Sequence, residues 1–106
     1  VRPPRLMALA GLVLVAGPAL TASITPVAQR NRNFEVGELQ IARGGAVRFT
    51  NDDDFPHQIA IRGPSMRYES DLMAPHQLVD VQFADAGSFE VRCGVHPRMR
   101  MTIQVR

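Results

Sequence analysis

At 106 residues the chain has room for one domain, and twelve arginines, no lysine and ten acids give a formal net charge of +2. With no long basic run, nothing points to nucleic acid. A single cysteine excludes an intramolecular disulfide.

The N-terminal 22 residues read as a leader. Arg2 and Arg5 form a short basic start, Leu6 to Leu20 is a nearly unbroken apolar run, and the small residues Thr21-Ala22-Ser23 follow. That is the layout of a secretory signal peptide, with cleavage expected near Ala22. The apolar run spans fifteen residues and contains Gly11, Gly17 and Pro18, whereas a spanning helix needs about 20 apolar residues. No membrane span is therefore expected after processing. Removal of residues 1–22 takes two arginines with it and leaves 84 residues carrying ten arginines against ten acids. The mature chain is close to neutral and just large enough for one small core.

Residues 23–33 are polar and irregular and read as a flexible lead-in, so the domain is expected over 34–106. From Phe34 to Ile41 the pattern alternates loosely, and Gly44-Gly45 marks a turn. Val47 and Phe49 alternate with Arg48 and Thr50, the period of a half-buried strand. Asn51 to Pro56 breaks it. His57, Ile59 and Ile61 share one parity and so one face of the next strand. Residues 62–76 read as a long loop packed down by Met66, Tyr68, Leu72 and Met73. Val79, Val81 and Phe83 form another strand, Asp85-Ala86-Gly87 a turn, and Phe89, Val91 and Cys93 the buried parity of a further strand. Met101, Ile103 and Val105 face inward from the last one. Six or seven short strands with turns between them and no helix predict an all-β fold, a small antiparallel sandwich or barrel.

The chemistry gathers at Cys93-Gly94-Val95-His96-Pro97-Arg98-Met99. A thiolate, an imidazole and a thioether within seven residues suit copper cycling between its two oxidation states, and a second imidazole is available at His57. A free thiol in an exported chain is a liability unless something holds it, and a metal would. Met99 has a competitor in Met101, which also fits the alternation of the last strand as a core residue. Pro97 fixes its own backbone and restricts His96 before it. The loop is thereby stiff, as a site that must not rearrange between Cu(I) and Cu(II) requires.

Phe49-Thr50-Asn51 through Phe55-Pro56-His57, followed by Phe89-Glu90-Val91-Arg92 and the cysteine loop, resembles the plastocyanin/azurin family of cupredoxins. The short ligand loop is most similar to that of amicyanin-like blue copper proteins. The resemblance covers roughly residues 34–106 and implies a Greek-key β-sandwich, one type 1 copper per chain, and a small exported electron carrier. Carried over by position, it implies His57, Cys93 and His96 as strong ligands and Met99 as the axial one. Gln58 departs from the Asn that many relatives place after the first His. The backbone N–H of that residue is expected to point at the thiolate sulfur. Val91 and Met101 also depart from the family pattern, and neither is a strong ligand.

Other candidates rank below these. His76 follows Pro75 in a turn, and Asp52-Asp53-Asp54 lacks the spacing of a calcium loop and reads as a solvated turn. A Cys93/His96 nucleophilic pair has no evident orienting third group, so no enzyme activity is expected. Arg92, Arg98 and Arg100 surround the metal loop and suggest a rim where a redox donor or acceptor protein docks. The reading is a monomeric single-electron carrier of the periplasm or secreted space. Copper trafficking or storage through Met66, Met73, Met99 and Met101 is the alternative.

Overall fold

Period-two alternation of apolar residues shapes the computed structural model, which describes residues 23–106. The leader expected over 1–22 and its cleavage point lie outside the described residues. Nine strands follow in order: β1 Ile24–Arg30, β2 Asn33–Phe34, β3 Glu38–Ile41, β4 Ala46–Asn51, β5 Ile59–Arg62, β6 Arg67–Glu69, β7 Leu78–Gln82, β8 Gly87–Cys93 and β9 Arg100–Val105. Among the described residues there is no helix. Four strands form one sheet in the order β2-β1-β4-β7, and five form the other in the order β3-β9-β8-β5-β6. This is the expected all-β sandwich.

The inward face of each strand supplies the core between the sheets. Val47 and Phe49 of β4, Ile59 and Ile61 of β5, Phe89 and Val91 of β8, and Ile103 of β9 are sealed from solvent, as is Phe83 after β7. Each such side chain contributes about 1.5–3 kcal/mol by leaving water. Phe83 and Phe89 meet edge to face with ring centroids 5.2 Å apart. Gly63 lies so close to the Phe89 ring that an added Cβ would sit 2.2 Å from its Cδ1.

Two expectations are corrected here. Residues 23–33 are no loose lead-in, because β1 lies along all of β4 from Ile24↔Ala46 to Gln29↔Asn51 and buries Val27 and Gln29. Pro26 disguises this strand. It is tolerated because β2 covers β1 only at Gln29 and Arg30 and leaves the rest of that side open. The sandwich therefore takes in β1, which lies before the expected boundary at residue 34. Nor is the sandwich purely antiparallel: β1 runs parallel to β4, and β3 parallel to β9. A smaller difference is that His57 precedes its strand and pairs singly with Met73, while β6 interrupts the expected 62–76 loop.

β1 and β2 are joined by Asn31-Arg32, with φ of 55° and 57°. Two successive positive values are what a two-residue type I′ hairpin turn demands. That turn lies at the same pole of the sandwich as the end of β4 and the β8–β9 loop.

Candidate metal centre

Residues 52–57 fold around one buried amide. The Asn51 side chain donates to the Phe55 carbonyl at 2.8 Å and the Met73 carbonyl at 3.0 Å, and accepts from the Asp53 N–H at 2.9 Å. His57 is then fixed by a two-way backbone exchange with Met73, at 3.1 and 2.7 Å. On the neighbouring strands Cys93 pairs with Ile59, so the thiol ends its strand beside the imidazole. The loop beyond closes on itself: Met99 N–H donates to the His96 carbonyl at 2.9 Å, and Cys93 N–H to the Met99 carbonyl at 3.2 Å.

Three donor atoms converge as a result. His57 Nδ1 lies 3.5 Å from Cys93 Sγ, His96 Nδ1 lies 3.8 Å from the same sulfur, and the two nitrogens are 3.3 Å apart. A first-row ion bonded at about 2.0–2.1 Å to nitrogen and about 2.3 Å to sulfur would, in trigonal array, hold N···N at about 3.5 Å and N···S at about 3.8 Å. The triangle has the size and the donor chemistry for one such ion.

The supporting groups are as informative. His57 Nε2 is 2.7 Å from Asp53 Oδ2, and both residues are buried. Asp53 also accepts the backbone N–H groups of Asn31 at 2.7 Å and Arg32 at 3.0 Å. Burial alone would raise the Asp53 carboxyl, but the bonds from His57, Arg32 and Asn31 outweigh it and hold it below the usual carboxylate range. An ionised Asp53 can only accept, so His57 Nε2 carries the proton and the Nδ1 lone pair faces the other donors. Burial lowers the His96 imidazole, helped by His57 and Arg32 and opposed by Asp53. That ring too favours the neutral form that binds metal. Gln58 N–H points at Cys93 Sγ from 3.4 Å, as expected for a donor to a thiolate. The Gln58 side chain does something else: it donates to the Ser70 carbonyl at 2.8 Å and crosses so near Gly94 that a Cβ there would meet its Oε1 at 1.9 Å.

No family model matches the chain. Amicyanin-alpha of Methylorubrum extorquens is 30% identical to it over 101 residues, covering 92% of this chain and 85% of that protein. The chain belongs to the amicyanin family of cupredoxins. A solved structure of a reduced amicyanin mutant superposes with a TM-score of 0.73 at 23% identity, over 79% of this chain and 83% of that one. A copper-containing nitrite reductase from Thermus scotoductus gives a TM-score of 0.71 at 22% identity, but the chain spans 22% of that enzyme's length. That likeness is one of fold alone. With membership of the amicyanin family, the expectation of a blue copper protein that carries electrons on one copper ion stands.

In this cupredoxin His57, Cys93 and His96 come together as the sequence suggested, the first two buried and the third partly exposed. Met99 is buried in the same loop. Met101 is buried in β9 opposite Val91, two residues further into the sheet. His76 is exposed with φ 69° and stands outside the cluster. Met73 is in the core and the half-buried Met66 packs against it. Of the three aspartates read as a solvated turn, Asp52 and Asp54 are exposed, but Asp53 is not. Its place four residues before His57 was the available signal. Arg92, Arg98 and Arg100 are all exposed, yet Arg92 is paired with Glu90.

Proposed function

We propose that this amicyanin-family chain carries single electrons between redox proteins of the periplasm, on one type 1 copper held by His57 Nδ1, Cys93 Sγ, His96 Nδ1 and, axially, the Met99 thioether. The carrying observation is the triangle of three donor atoms with sides of 3.3, 3.5 and 3.8 Å. Copper, when bound, supplies the Cu(II)/Cu(I) couple; the chain supplies a rigid frame. Asp53 fixes the His57 ring, Gln58 N–H donates toward the thiolate, and Pro97 stiffens the loop, so little need move when an electron arrives. His96, the donor that reaches the surface, is the contact point for partners. Among the described residues no helix is long and apolar enough to cross a membrane, which is compatible with release into the periplasm after loss of a leader.

Met99 is preferred over Met101 because it lies within the loop that closes on His96, whereas Met101 packs in the sheet. Visible and EPR spectra of the copper-loaded protein test the assignment. An intense thiolate-to-copper band is expected in the wild type and in Met66→Ala, and is expected to vanish in Cys93→Ala. Met99→Leu should change the EPR signal and the potential, while Met101→Leu should leave both nearly unaltered. A blue Cys93→Ala protein would refute the proposed centre.

A further inference from the structure

The β1–β2 turn brings a cation to the metal pole that the loop sequence does not contain. Arg32 is held there twice. Its N–H donates to Asp53 Oδ2 at 3.0 Å, and its guanidinium lies over the Phe55 ring, 4.9 Å from the centroid. Phe55 in turn packs edge-on against His57 and His96, with centroids 5.3 and 5.4 Å away. Between turn and loop opens a cleft of about 400 Å³, lined by Arg32, Asn33, His96, Pro97, Arg98 and Met99. Arg30, Arg48 and Arg92 are each in an ion pair, but among the described residues neither Arg32 nor Arg98 has one. Two exposed guanidiniums thus flank the imidazole that reaches the surface.

We propose that this cleft receives a carboxylate side chain of an acidic redox partner, with Arg32 and Arg98 guiding it to the edge of His96. The inference rests on the electron-carrier reading. Guanidinium forks suit carboxylates better than any other protein group. A basic partner would be repelled, and an apolar one would desolvate two unpaired charges. Arg32 is also pre-organised by Phe55 and by its own backbone bond, so ordering it on docking costs little. Arg92 and Arg100 face each other across β8 and β9. With Arg92 already neutralised by Glu90, that pair contributes less.

The test uses the copper-loaded protein with plant-type [2Fe–2S] ferredoxin as the acidic probe. Two quantities are measured against ionic strength: the rate at which reduced ferredoxin reduces Cu(II), and the affinity of oxidised ferredoxin for the Cu(II) form, between which no electron passes. Arg32→Asn suits the positive φ of that residue. It is expected to keep the blue band, to lower rate and affinity about three- to tenfold at low salt, and to flatten the salt dependence. Arg98→Asn should behave alike, Arg32→Lys should recover part of the loss, and Arg43→Asn, at the other end of β4, should do little. An Arg32→Asn effect no larger than that of Arg43→Asn would overturn the proposal. So would an unchanged ferredoxin affinity combined with slower reduction by hexacyanoferrate(II), the mark of a small-anion site only. A wild type that gives no blue copper form would sink the carrier reading itself, which the Arg32 results alone cannot do.

Discussion

At the scale of single residues the centre depends on a carboxylate that is not expected to touch the metal. Asp53 satisfies three donors: the buried His57 Nε2–H and the part-buried N–H groups of Asn31 and Arg32. Asp53→Ala leaves all three without their partner. Bonds to a charged group are worth about 1.5–3 kcal/mol each, less whatever water can replace. A loss of about 3 kcal/mol in urea unfolding is expected, together with a shifted blue band as the His57 ring loosens. Two groups of the centre shape the pH response of the metal-free protein. The His96 pKa is lowered by folding, so the unfolded chain takes up its proton first, from about pH 6.5 downward. Stability therefore falls as pH drops through that range. Asp53, whose pKa is depressed, adds stability above the ordinary carboxylate range that is lost at still lower pH. Urea midpoints measured between about pH 8 and about pH 5 should decline, and His96→Gln should flatten the decline.

Among the elements, the alternating strands were legible and the first one was not. β4, β8 and β9 declare themselves through Val47/Phe49, Phe89/Val91/Cys93 and Met101/Ile103/Val105, because one face of each meets the core and the other meets water. β1 has only Val27 and Gln29 to bury, and it contains a proline. Its stability comes from long-range pairing with β4, a contact no local pattern encodes. A chain beginning at residue 34 is therefore expected to fail to fold. It would lose the partner along one side of β4, the buried Val27, and the Asn31-Arg32 turn that holds Asp53. Far-UV circular dichroism and a missing cooperative transition would register that, and a truncated protein with a normal transition would contradict it. For the site, the convergence of His57, Cys93 and His96 was legible because soft donors at short spacing are rare. Asp53 was hidden because three successive aspartates look like a solvated turn until one is seen to point inward.

For the whole molecule, copper and fold are coupled by mass action. A metal that binds the folded form alone stabilises it by about 4 kcal/mol at a thousandfold excess over its dissociation constant. The urea midpoint should therefore rise on loading in the wild type and in Met66→Ala, and should scarcely move in Cys93→Ala. The layout of the donors adds a requirement of completeness. Of the three clustered donors, Cys93 and His96 lie at the end of β8 and in the loop after it, and His57 is oriented through Asp53 by a turn at residues 31 and 32. A product released before Cys93 is made lacks both of those donors, and one clipped within β1 has lost the support of the remaining one. Colour should thus appear only in molecules that hold both β1 and the β8–β9 loop, making the cofactor a proofreader of that whole span.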